Sequence, residues 1–82
     1  MRLPRDLSGH DLGKLLRKFG YEVTRQTGSH LRLTSRLRGT EHHITVPAHN
    51  SLKVGTLNSI LLEVASYLKI DRETLQQEMF GK

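Results

Sequence analysis

The chain has 82 residues and no cysteine, with 35% hydrophobic and 26% charged residues. This length allows one modest core and no second one, the composition excludes a disordered tail, and the lack of thiols excludes a disulfide framework or a thiolate zinc site. Formal net charge is +5 and uneven: residues 1–38 hold nine Lys or Arg against three acids, residues 39–82 four against five. A basic half of this kind concentrates polyanions, so nucleic acid leads the partner classes and an acidic protein comes second. The N-terminal MRLPRDLSGHD has no signal-like apolar core, and no apolar run reaches membrane-spanning length. A single cytoplasmic domain over residues 1–82 is expected.

The first predicted element is a helix. Ser8 and Asp11 resemble a capping box, Leu12, Leu15, Leu16 and Phe19 keep helical spacing, and Gly20 supplies the stop. Lys14, Arg17 and Lys18 fall on its other face. From Tyr21 the period becomes two: YEVTRQ and SHLRLTS flank Thr27-Gly28, a hairpin turn. SRLRGTE turns the chain around Gly39, and HHITVP is a third strand that Pro47 closes, because proline cannot donate to a ladder. Strict alternation sends Val23, Leu31, Leu33, Ile44 and Val46 to the core, and His30, Arg32, Thr34, His43 and Thr45 to the opposite side.

After AHNSLKVG, Thr56 is the expected N-cap of a helix whose Leu57, Ile60, Leu61, Val64 and Leu68 form one stripe. Asp71 then caps a short third helix with Leu75 and Met79 as its apolar contacts. The order α-β-β-β-α-α implies an α+β fold, a three-stranded antiparallel sheet with helices packed on one face and the other face open for binding.

Three blocks in order carry a family resemblance: LLRKFGYEVTRQTGSHLRL, VPAHN and LKVGTLNSIL. Together they resemble the HicA, or YcfA-like, family of mRNA interferase toxins, over about residues 8–79. The resemblance implies a double-stranded-RNA-binding-domain-like fold and metal-independent endoribonuclease activity on mRNA. It also implies no cofactor, and neutralisation by a HicB-type antitoxin. The family's catalytic histidine is that of its G-S-H motif, which here is Gly28-Ser29-His30. Many members carry a polar residue where this chain has Leu31, and proline where it has Val54; the second change is expected to loosen the start of the second helix.

Such chemistry suits histidine. RNA is cut when its own 2′-hydroxyl attacks the adjacent phosphorus, so the enzyme need only move protons and stabilise charge. An imidazole with an unperturbed pKa of ~6.5 can accept the 2′-hydroxyl proton or protonate the leaving 5′-oxygen. Taken alone, His30 reads as a solvated strand histidine; the resemblance turns that reading towards catalysis. Arg25 and Arg32 are candidate phosphate clamps, although alternation places Arg25 nearer the core side and so favours Arg32.

His49, in a loop after a strand, is a secondary candidate for proton transfer. Lys53, with the amides of Gly55-Thr56, is a candidate phosphate contact at a helix N-terminus. His10, His42 and His43 read as structural, since adjacent strand residues face opposite ways. No ligand spacing supports a metal site. The competing function is a non-catalytic RNA-binding module of the same fold.

Overall fold

The computed structural model describes residues 3–81. The chain forms α1 (Gly9–Leu16), β1 (Glu22–Thr27), β2 (His30–Ser35), β3 (His42–Pro47), α2 (Val54–Leu68) and α3 (Arg72–Phe80), with a 3-10 turn over Arg17–Phe19 at the end of α1. The strands make one antiparallel sheet in the order β1-β2-β3. Its helix-covered side holds the core, where Leu31, Leu33, Ile44 and Val46 meet Leu12 and Leu16 of α1 and Leu57, Ile60, Leu61, Val64 and Leu68 of α2. The other side stays open, which is the α+β, double-stranded-RNA-binding-domain-like layout expected from the sequence.

Helix α1 begins as its residues predict. Ser8 is the N-cap, and its hydroxyl accepts the Asp11 backbone N–H at 3.0 Å. Gly9 follows for a reason that the helical period does not reveal. A Cβ at this position would lie 2.0 Å from the Pro47 carbonyl oxygen, so only glycine lets the helix start press against the end of β3. Backbone bonds from Gly9 N to His49 O (3.0 Å) and from Leu52 N to Leu7 O (2.8 Å) complete this junction.

Helix α2 starts three residues earlier than expected. Lys53, not Thr56, is the N-cap residue, with no side-chain bond to the first turn. Leu52, buried in the core and tied to Leu7, anchors the loop immediately before the helix, so the backbone turns helical as soon as it leaves that anchor. Val54 occupies the first helical position, where proline would be favoured by its fixed φ. Asp71 does sit at the N-cap of α3, and Leu75 and Met79 are buried as read from the sequence.

Three details of the sheet differ from strict alternation. The β1–β2 loop is Gly28-Ser29, with Thr27 still paired to His30, one residue later than expected. Gly28 has φ +57 with open space around it, the backbone that a two-residue hairpin loop needs at its first position. Val23, expected in the core, is 51% exposed. It faces the helix side opposite Leu33, but on an edge strand, where it lines an open groove beside α1 with His10, Lys14 and Arg17 instead of being packed into the core.

The third difference is Thr34. It lies on the open side as expected, yet is only 6% exposed, because Thr24 and His43 close over its hydroxyl.

Candidate functional site

The open side of the sheet can be laid out from the strand register. One row is Thr27, His30 and Pro47; the next is Arg25, Arg32 and Thr45; the third is Glu22, Thr34 and His43. Residues directly opposite in an antiparallel pair share a face, with Cβ atoms ~4.5–5.5 Å apart. Alternate rows on one face are ~7 Å apart, two residues along the strand.

This register corrects the placement of Arg25. Between Val23 and Arg25 the pairing shifts by one residue, leaving Thr24 as a bulge. The extra residue turns Arg25 from the helix side to the open side, directly opposite Arg32. Two guanidinium groups therefore flank one row, and like charges placed directly opposite cost stability. Among the described residues neither side chain has a carboxylate partner, since the ion pairs there join Lys18 to Glu78 and Glu41 to Arg36 and His43. An anion held between the two forks would relieve the repulsion by charge-assisted hydrogen bonds.

His30 is exposed at the start of β2, immediately after the Gly28-Ser29 loop and one row from the arginine pair. Its backbone is fixed on both sides, by pairing to Thr27 and Pro47. Next to it, Ser29 O accepts the Ala48 N–H at 2.6 Å, which ties the loop after β3 to the hairpin. No described residue hydrogen-bonds the His30 ring, so both ring nitrogens stay available to a substrate.

The remaining candidates are spread out. His49 lies at the same end of the sheet, exposed, with its carbonyl held by Gly9 and its ring turned to solvent without a described partner. Lys53 belongs to the helix layer at the N-terminus of α2 and does not share the open side. The structure thus brings together Gly28, Ser29, His30, Arg25 and Arg32, places His49 beside them, and leaves Lys53 apart.

Two polar clusters went unread in the sequence. At the far end of the open side, His43 Nδ1 lies 2.8 Å from Thr34 Oγ1 and its Nε2 lies 3.3 Å from Glu41 Oε1, while Arg36 Nε donates to Glu41 Oε2 at 2.7 Å. The hydrogen bond and charge of Arg36 hold the Glu41 carboxyl below its ordinary range. Glu41 and His43 share parity on an extended segment, and that spacing was the available signal.

On the helix side, the Tyr21 hydroxyl meets His42 Nδ1 at 2.6 Å, and the His42 ring stacks on Tyr67 with centroids 4.8 Å apart. Burial, then the nearby Tyr67 and Glu63, push the Tyr21 hydroxyl well above its usual value, so it stays protonated beside His42. His42 and His43 do face opposite ways, as alternation requires. No group of three or more His, Cys, Asp or Glu among the described residues is placed to hold a metal ion.

A family model described as "HicA toxin of bacterial toxin-antitoxin" matches residues 9–66. The chain belongs to the HicA toxin family. The match runs from the first residue of α1 into the last turn of α2, so it takes in the whole sheet and the Gly28-Ser29-His30 hairpin but stops short of α3. Membership places the chain among the toxins of toxin–antitoxin systems and implies an antitoxin partner in general. No curated protein and no solved structure shows a significant match. No described helix is long and apolar enough to cross a membrane.

Proposed function

We propose that this HicA toxin is an mRNA interferase, an endoribonuclease that cuts mRNA without a metal and is neutralised when a HicB-type antitoxin covers the open side of its sheet. The observation that carries the reading is the exposed His30, fixed in backbone, free in ring, and one row from the Arg25–Arg32 pair.

The chemistry follows from that arrangement. A phosphodiester lying between the two guanidinium groups has its non-bridging oxygens held by charge-assisted hydrogen bonds, which strengthen as negative charge develops on phosphorus. The 2′-hydroxyl attacks, its oxygen bonds to phosphorus, and the bond to the 5′-oxygen breaks. The products are a 2′,3′-cyclic phosphate and a free 5′-hydroxyl. His30 either takes the 2′-hydroxyl proton or supplies one to the leaving oxygen, and water exchanges the other. A well-placed imidazole in either role contributes about 10²- to 10⁴-fold. Neither step needs a redox cofactor or a Lewis acid. His49, at the same end, is the second candidate for proton exchange, and Lys53 is a peripheral phosphate contact.

The deciding experiment compares the protein with His30→Ala on end-labelled RNA in EDTA, with circular dichroism to check folding. Cleavage by the unsubstituted protein alone, leaving cyclic phosphate ends, supports the reading. Equal cleavage by both removes His30 from the mechanism. Binding without cleavage by both makes the chain a non-catalytic RNA-binding module.

A further inference from the structure

The bulge in β1 decides which side of the sheet Arg25 serves, and a chain of side chains holds that bulge. Thr24 has no register partner on β2. Its hydroxyl instead lies 2.9 Å from Thr34 Oγ1 and 3.4 Å from the Arg32 carbonyl oxygen. Thr34 Oγ1 continues to His43 Nδ1 at 2.8 Å, the same ring faces Glu41 through Nε2 at 3.3 Å, and Arg36 closes the line on Glu41.

The direction of each bond can be assigned. Glu41 is ionised beside Arg36 and only accepts, so His43 Nε2 donates to it. In the neutral ring that leaves Nδ1 as an acceptor, which takes the Thr34 hydroxyl proton. Thr34 Oγ1 keeps lone pairs for the Thr24 hydroxyl, whose one proton then goes to Thr34 at 2.9 Å and not to the more distant Arg32 carbonyl oxygen. Thr34 is nearly buried, and its hydroxyl has both roles filled, so the chain is satisfied from bulge to carboxylate.

We propose that His43 is a positioning residue for the phosphate site: through Thr34 and Thr24 it holds the β1 bulge, and the bulge keeps Arg25 opposite Arg32 beside His30. The kinetic consequence rests on the ribonuclease reading; the register itself is a property of the free protein. His43 is four residues along β3 from Pro47, the register partner of His30, a separation of ~13 Å that prevents both rings from serving one scissile phosphate. Without the bulge, alternation from Val23 would turn Arg25 towards the groove lined by His10, Lys14 and Arg17, adding a cation to three basic side chains. One guanidinium group would then remain beside His30.

The test uses Thr24→Val, His43→Ala, Arg25→Ala and the His43→Ala/Arg25→Ala double variant of the full chain. Thr24 lies on an exposed edge strand and valine keeps its shape, so this variant is the one that folds if His43→Ala does not. The first readout is the β1–β2 register by NMR. Cross-strand contacts between Arg25 and Arg32 are expected in the native protein and lost in Thr24→Val and His43→Ala, while β2–β3 contacts such as Leu33 to Ile44 persist. The second readout is kcat/KM on RNA. Arg25→Ala and His43→Ala should each lose about tenfold, the scale of one charge-assisted contact, and the double variant should lose no more than Arg25→Ala alone.

A retained Arg25–Arg32 register in folded His43→Ala overturns the proposal, as does one retained in Thr24→Val where His43→Ala does not fold, and as do losses that add in the double variant. If the native protein cuts no RNA, the ribonuclease reading falls and the register measurement alone decides whether His43 holds the bulge.

Discussion

His30 and His43 stand on the same side of the same sheet, on adjacent strands, and are opposite in every chemical respect. The His30 ring has no described partner, while the His43 ring is engaged at both nitrogens, by Thr34 and by Glu41. Backbone pairing fixes both, His30 from two neighbouring strands and His43 from one. A ring that exchanges protons with a substrate must have a nitrogen to offer, whereas a ring held at both ends can only transmit geometry. The pair teaches that partnered and unpartnered side chains on one rigid surface divide the work between support and chemistry.

The sharpest way to break this comparison is His30→Ala. Cleavage of labelled RNA should fall about 10²- to 10⁴-fold, with the thermal unfolding temperature unchanged. A parallel loss of stability would move His30 into the supporting class. Next in size is Arg32→Ala, with an expected loss of about 10- to 100-fold in kcat/KM from one charge-assisted contact, and Arg32→Lys should recover only part of it, because an ammonium cannot form the planar fork.

The reverse pattern is expected for His43→Ala. Unfolding in urea should show a loss of about 1 kcal/mol, the scale of a hydrogen-bonded contact, where His30→Ala shows none. Equal urea midpoints for the two variants would erase the distinction.

A pH series sharpens the same point. Arg36 holds the Glu41 pKa below its ordinary value of 4.5, so the folded state binds that proton less readily than the unfolded chain. The Glu41 contribution is therefore present above about pH 4.5 and lost as pH falls through the depressed folded value. Glu41→Gln should be the less stable protein at neutral pH, and the gap in unfolding temperature should close on acidification. A gap that widens in acid would contradict the assignment. The smallest effect is expected for His49→Ala, whose cleavage rate should stay closest to that of the unsubstituted protein.

Much of this surface was legible in the residues. Helical spacing gave α1 and the stripe of α2, alternation gave β2 and β3 with the correct facing for Leu31, Leu33, Ile44 and Val46, and the Gly28-Ser29-His30 motif pointed to the hairpin. Alternation failed in β1 because a period of two presumes one residue opposite one, and the inserted Thr24 breaks that count without any local signature. Val23 failed for another reason: side-chain direction is a local property, while burial depends on how closely the neighbouring helix packs, and beside this edge strand it leaves an open groove. Apart from Glu41, two residues from His43, the partners of His42 and His43 come from 9 to 25 residues away in sequence, Thr34 and Tyr67 among them, and only the folded register brings them together.

The Tyr67 hydroxyl accepts the Arg38 N–H at 2.9 Å and lies 2.6 Å from Thr40 O and 3.4 Å from Ser35 O. In kinetic terms, the bracing of the β2–β3 connection by Tyr67 depends on a long-range contact. Three backbone groups of that connection find their partner on a helix 27 to 32 residues downstream, so these bonds form only once α2 has docked on the sheet, whereas the local bond from Gly39 N to Arg36 O does not wait for it. During vectorial synthesis, β2 and β3 emerge with this turn unbraced, and the far edge of the sheet is fastened from the C-terminal half of the chain.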